Sequence, residues 1–203
     1  MSHYYTNDPD LAHDEHSFSF ELGGHSLRFT SDNGVFSKHT IDFGSRVLIA
    51  TVLAQPELTT GAILDLGCGY GPIGISVAKA LPERQVTMSD VNERALALAE
   101  RNAAENGVSE QVHIVESSVY DQIEGKFGVI LTNPPVRAGK SIVSAMLSGA
   151  REHLLPGGEI FVVLQKKQGA PSAKKLLAST FGSAEVLKKD GGYYILHAVM
   201  EED

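Results

Sequence analysis

Nowhere in its 203 residues does this chain hold the roughly 18 consecutive apolar residues of a membrane-spanning helix. Its polar, histidine-containing start is not that of a secretory signal peptide. It has one cysteine, Cys68, which excludes an internal disulfide framework and fits a reducing cytoplasm. It has no excess of basic residues: 17 lysines and arginines stand against 25 acids, for a net charge of −8. A general nucleic-acid binder usually carries the opposite balance. The basic pairs that are present, Lys166-Lys167, Lys174-Lys175 and Lys188-Lys189, read as solubilising surface ahead of an RNA track. The eight histidines are scattered without zinc spacing, so no metal site is expected. There is no internal repeat and no low-complexity linker. What remains, 42% hydrophobic and 21% charged, is the composition of a soluble globular protein able to bury one large core.

The organisation follows from hydrophobic periodicity. Residues 17–30 alternate as Phe18, Phe20 and Leu22, then Gly23-Gly24, then Leu27 and Phe29, the pattern of a β-hairpin. Val47, Leu48, Ile49, Val52 and Leu53 suit a largely buried helix over Ser45–Gln55. Short apolar strands follow at Ala62–Leu66, Gln85–Ser89, Val112–Val115, Phe127–Leu131 and Ile160–Leu164. Helices near Pro72–Leu81, Glu93–Asn106 and Lys140–His153 alternate with them, which predicts a mostly parallel sheet covered on both faces. Ala184–Leu187 and Tyr193–Met200 are joined by Lys188-Lys189-Asp190-Gly191-Gly192, too short for a crossover, so this pair is antiparallel. The reading is one α/β domain over residues 1–203, with an N-terminal extension carrying the β-hairpin (1–44) and an open-sheet core (45–203). Ligand belongs at the carboxyl ends of the strands.

Three motifs fall there. Asn133-Pro134-Pro135-Val136 ends the buried strand Phe127–Leu131; two prolines remove two backbone donors and fix two φ angles. The Asn133 side-chain oxygen and the Pro134 carbonyl then form a pair of fixed acceptors suited to an amino group. Asp65-Leu66-Gly67-Cys68-Gly69-Tyr70-Gly71 turns from strand to helix, and its glycines let backbone approach a ligand. Gly69-Tyr70-Gly71-Pro72-Ile73-Gly74 also matches the dinucleotide pattern GxGxxG, with Asp90 where that fingerprint wants a ribose acid. Asp65 and the additional Gly67 favour an amino-acid-bearing nucleoside over a pyrophosphate. Asp90 suits both ribose hydroxyls, or a cap on the helix near Asn92. Val91 suits an adenine face or ordinary core, and Ser117 or Ser118 the adenine amino group or plain loop. Cys68 has no partner cysteine and reads as wall packing.

Together these motifs resemble the class I S-adenosylmethionine-dependent methyltransferases. The leader Asp32-Asn33-Gly34-Val35-Phe36-Ser37, with Ile41-Asp42-Phe43-Gly44-Ser45, resembles more narrowly the small-subunit rRNA guanine-N2 methyltransferases of the RsmC type. The resemblance implies a Rossmann-like, seven-stranded, mostly parallel sheet with its last strand reversed, and S-adenosylmethionine as cofactor. It implies rRNA or a ribosomal subunit as partner. Gly67, Gly69 and Gly71 would approach the methionine moiety and Asp90 the ribose, with Phe36 and Gly44 near cofactor or substrate. One departure stands out. The position after Asn-Pro-Pro is commonly aromatic in this superfamily and here is Val136, which offers little stacking surface. Phe36 is the candidate replacement, with core packing as its other reading. Arg137 and Lys140 suit phosphate contact or plain surface. Protein glutamine methylation, a nicotinamide-dependent oxidoreductase and a non-catalytic cofactor-binding module stay open as alternatives.

Overall fold

Two strands of this chain are buried at every position, Ile63–Leu66 and Phe127–Thr132, as strands covered by helices on both faces must be. The computed structural model describes residues 7–22 and 24–201. In chain order the elements are β1 (His16–Leu22), β2 (His25–Ser31), α1 (Phe43–Leu53), β3 (Ile63–Leu66), α2 (Pro72–Ala80), β4 (Val86–Asp90) and α3 (Glu93–Glu105). There follow β5 (Val112–Glu116), β6 (Phe127–Thr132), α4 (Lys140–Gly149), β7 (Leu154–Gln165), α5 (Ala170–Phe181), β8 (Glu185–Asp190) and β9 (Tyr193–Val199). The main sheet runs β5-β4-β3-β6-β7-β9-β8, and β9 lies antiparallel to both neighbours. This is the seven-stranded arrangement with a reversed last strand that the sequence led us to expect. The strand order reverses beside β3, which places the switch point, and hence the ligand crevice, at the carboxyl ends of β3, β4 and β6.

The core divides by sheet face. Ile63, Met88, Val129 and Phe161 pack under α1–α3 and the N-terminal hairpin, while Leu64, Leu66, Ile130 and Val162 pack under α4 and α5. The hairpin pairs in full register from His16↔Ser31 to Leu22↔His25; Gly24 takes φ 78°, and Gly23 lies outside the described residues. It shares the core of the main sheet, with Leu27 and Phe29 fully buried there. Asn102 on α3 and Asn106, which caps its C-terminus, hold it. Asn102 accepts from the Thr30 N–H at 2.8 Å and donates to the Thr30 carbonyl at 3.0 Å. Asn106 does the same to Arg28, at 3.0 and 2.7 Å. Four helical residues rise about 6 Å and two strand residues about 6.8 Å, so this spacing lets α3 imitate a neighbouring strand.

Three elements differ from the sequence reading. Helix α5 was not anticipated, because half of its buried stripe is alanine: Ala170 and Ala173 precede Leu177 and Phe181. Pro171 and Gly182 delimit it. Strand β7 begins at Leu154 rather than Ile160, running through Pro156-Gly157-Gly158 with a register shift against β6. Strand β8 extends through Lys188–Asp190, so the final turn is only Gly191-Gly192, at φ 52° and 82°.

Candidate active site

Three adjoining cavities open at the carboxyl edge of the sheet. The first, of about 410 Å³, has Gly67, Ser89, Asp90, Val91 and Ser118 on one side and Ile142 and Met146 on the other. A second, small one of about 30 Å³ lies between Gly67, Cys68, Gly69, Phe36, Asp42 and Asn133. The third, of about 270 Å³, is walled by Phe36, Asn133, Val136, Arg137, Gln165 and Tyr193. Gly67 joins the first to the second; Phe36, Asp42 and Asn133 join the second to the third.

The glycine loop is fixed from β4: the N–H groups of Gly67 and Cys68 both donate to the Ser89 carbonyl at 2.8 Å. Gly67 and Gly69 have positive φ and face the cavities, and a Cβ on Gly69 would meet nothing within 4 Å. Backbone there is open to a ligand. Gly71 corrects an expectation, since it turns inward. A Cβ on it would lie 2.6 Å from Ile75 and 3.0 Å from Met88, so its role is packing at the start of α2. Asp65 is likewise beneath the loop and lines none of the three cavities. It is fully buried, and one oxygen accepts from the Gly74 N–H at 2.8 Å. Burial pushes its carboxyl up to about 7. Cys68 is buried with its thiol donating to the Gly69 carbonyl at 3.4 Å, and burial pushes that thiol up, so it is an inert wall.

Asp90 closes β4 with both oxygens engaged: Oδ2 accepts from Gly69 N–H at 2.8 Å and Oδ1 from Asn92 N–H at 2.9 Å. Each oxygen keeps acceptor capacity for a ligand hydroxyl. Burial raises its pKa. Asn92, not Asp90, caps α3, accepting from Ala95 N–H at 3.1 Å. Ser117 is committed to its own loop, donating to the Val119 carbonyl and accepting from Gln122 N–H, both at 3.1 Å. That leaves Ser118, exposed at the rim, as the serine with a free approach to a ligand. Ser89 Oγ is buried in the wall of the first cavity with no hydrogen-bond partner among the described residues.

Asn133 is clamped from across the chain. Its Nδ2 donates to Asp42 Oδ2 and to Ser45 Oγ, each at 3.1 Å. Asp42 is the N-cap of α1, accepting from Ser45 N–H at 3.0 Å. With both amide donors held, the carbonyl oxygen of Asn133 is the atom left for a ligand. The Pro134 carbonyl is free of the sheet ladder but not unbonded. Val136 N–H donates to it at 2.9 Å, closing an inverse γ-turn about Pro135 (φ −75°, ψ 80°). One lone pair on that oxygen remains.

Around the third cavity, Phe36 is 50% exposed, which sets aside its core reading. Val136 packs against the α4–α5 side of the core. Arg137 is exposed at the rim, whereas Lys140, at the start of α4, lines none of the three cavities. Gly44 serves the site through Tyr193: a Cβ there would lie 2.6 Å from that ring. Sequence reasoning did not single out Asp42, Ser45, Gln165 or Tyr193. Asp42 had a legible capping signal, but its tie to Asn133 spans 91 residues. Gln165 Nε2 donates to Tyr193 Oη at 2.7 Å, and Gln165 Oε1 is buried without a partner among the described residues. Among those residues, one cluster could hold a metal, His13, Glu15 and Asp32. Arg101 and Arg94 already pair with Glu15 and Asp32, and none of the three lines these cavities.

The class that this geometry defines is that of the S-adenosylmethionine-dependent methyltransferases. A family model described as "Methyltransferase small domain" matches residues 26–197, and the chain belongs to that family. It is 46% identical over 198 residues to "Uncharacterized protein YbxB" of Bacillus subtilis (strain 168), covering 97% of each. It is 39% identical over 167 residues to "Ribosomal RNA small subunit methyltransferase C" of Pasteurella multocida (strain Pm70), covering 80% of this chain and 48% of that one. The chain thus spans about half the length of the rRNA methyltransferases it matches. The T. thermophilus 16S rRNA N2 guanine methyltransferase RsmC, solved in complex with AdoMet and guanosine, superposes with a TM-score of 0.83 at 25% identity. That match covers 92% of this chain and 51% of the other.

Proposed function

We propose that this protein transfers the methyl group of S-adenosylmethionine to the exocyclic N2 amino group of a guanine in small-subunit rRNA. The clamp on Asn133 carries the reading. An aromatic amino group is a poor nucleophile because its lone pair is delocalised into the ring. An acceptor already fixed at its hydrogens stabilises charge on that nitrogen without reorganisation. Asn133 Oδ1 and the remaining lone pair of Pro134 engage the two amino hydrogens and align the nitrogen, with Pro135 setting the turn. Bound S-adenosylmethionine supplies an electrophilic methyl on its sulfonium sulfur; the sulfur–carbon bond breaks as the nitrogen–carbon bond forms. The amino nitrogen then loses one proton to solvent.

The first cavity suits the cofactor's adenosine: Asp90 for the ribose hydroxyls, Val91 and Ile142 for the adenine faces, Ser118 at the rim. The Ser89 Oγ in its wall, without a partner among the described residues, also asks for a polar ligand. Gly67 and Gly69 give backbone access to the methionine moiety, beside Cys68. The third cavity suits the base, with Phe36 supplying the ring that Val136 does not and Arg137 placed for a phosphate. A neighbour solved with guanosine supports guanine over adenine.

The test is to incubate the protein with labelled cofactor and undermodified small subunits, free rRNA or release factors, then locate the methyl. N2-methylguanosine in rRNA is the expected product. Methyl on a release-factor glutamine, or no transfer to any of the three, overturns the proposal.

A further inference from the structure

Three of the lysines that read as solubilising surface in the sequence meet in the fold. Lys174 and Lys175 of α5 and Lys189 of β8 line one groove of about 620 Å³, with Pro171 and Tyr194. Lys189 Nζ sits 5.0 Å over the Tyr194 ring. Lys166 and Lys167 form the single 3-10 turn (Lys166–Gln168) between β7 and α5. Gln168 of that turn lines the third active-site cavity, and Ala170, two residues on at the start of α5, lines the groove. Neighbouring residues of β9 divide in the same way, Tyr193 facing the cavity and Tyr194 the groove.

The charge here runs against the rest of the molecule. Between residues 131 and 189, nine lysines and arginines stand against three acids, in a chain of net charge −8. Helix α5 carries no acid. Among the described residues, no ion pair engages any of the six paired lysines; the ion pairs lie at the N-terminal hairpin, α3 and His197. Unneutralised cations around a groove on the other face of β9 from a candidate reactive pocket are complementary to a polyanion that rounds that edge of the sheet.

We propose that the groove between α5 and β8–β9 holds the phosphate backbone of the RNA strand whose base enters the third cavity. This assignment rests on RNA being the substrate. Phosphate contacts position a strand without reading its sequence. The groove therefore sets affinity and register, and the pocket sets base choice.

The test uses the whole chain carrying K174Q, K175Q and K189Q together, beside a lysine-to-arginine triple variant. Binding of a small-subunit rRNA fragment is followed by fluorescence anisotropy across a salt series, with KM for the same RNA and calorimetric cofactor affinity. The glutamine variant should raise the RNA KM about tenfold or more and flatten the slope of log affinity against log salt by about two. Cofactor affinity and melting temperature should stay at wild-type values, and the arginine variant should retain the wild-type slope. An unchanged slope and KM in the glutamine variant, or no RNA binding by the wild type, overturns the groove. If the wild type binds RNA through these lysines but methylates none of it, the groove stands and the proposed reaction falls. If it methylates RNA and the glutamine variant does so equally well, the reaction stands and the groove falls.

Discussion

Asn133 depends on a residue that the chain places 91 positions earlier. Asp42 Oδ2 accepts both from Ser45 N–H and from the Asn133 amide, so one carboxylate starts α1 and orients the candidate catalytic oxygen. Asp42→Ala is expected to separate from Asn133→Ala in a telling way. Loss of the cap costs about 1 kcal/mol of stability, read as a lower denaturant midpoint. Loss of the clamp lowers kcat as well, since Asn133 can then rotate. Asn133→Ala should leave stability close to wild type while kcat falls about 10²-fold or more and cofactor affinity holds. Equal kcat values for wild type and Asp42→Ala would show that the clamp does not orient Asn133. Sequence made Asn133-Pro134-Pro135 legible because prolines ending a buried run have few structural readings. The clamp was not legible, because no local pattern records a contact between distant segments.

At the scale of elements, what was readable followed burial. Strands β3 and β6 are apolar enough, and short enough, to be found directly, and their alternation with α2 and α3 fixes parallel pairing. Helix α5 hid because alanines bury little area and so leave a faint stripe. Strand β7 hid its first half behind Pro156-Gly157-Gly158, residues that normally end strands. The attachment of the hairpin was invisible for another reason: it uses polar side chains in place of apolar periodicity. Replacing Asn102 and Asn106 together by alanine leaves the backbone groups of Thr30 and Arg28 without these partners. Amide exchange in β1–β2 should then become faster than in β3, β4 and β6, whose protection stays close to global. Uniform loss of protection across both sheets would show instead that the hairpin does not open separately.

For the whole molecule, the clearest pH dependence comes from a network remote from the cavities. His197 bonds Glu159 at 2.7 Å and Glu185 at 3.0 Å, and Glu159 also accepts from the Thr59 N–H and hydroxyl. Glu159 lies six residues before Gln165 on β7, about 20 Å from the pocket along that strand. Burial disfavours the imidazolium, but the two carboxylates outweigh it and hold His197 above its ordinary 6.5. Burial likewise disfavours the Glu159 carboxylate, yet His197 and Thr59 hold it below 4.5. The His197 contribution to stability is complete below 6.5 and is lost as pH rises through the raised value. The Glu159 contribution is present above 4.5 and is lost as pH falls through the lowered value. Melting temperature relative to His197→Gln should therefore show a wild-type advantage in mildly acidic buffer that shrinks on the alkaline side. An advantage independent of pH from 6 to 9 would contradict the charged pair.

Asn102 carries one bond more than the hairpin needs: its Nδ2 also donates to the Tyr70 carbonyl at 2.9 Å, inside the glycine loop. Tyr70 in turn packs its ring against Phe18 and Phe29 of the hairpin. Among the described residues, those before Ser45 are thus tied into the core rather than standing as a detachable module in front of it. A piece cut to begin at residue 45 would keep every strand of the main sheet. It would strip Asp42 from Asn133 and leave the Asn102 amide half satisfied beneath the loop.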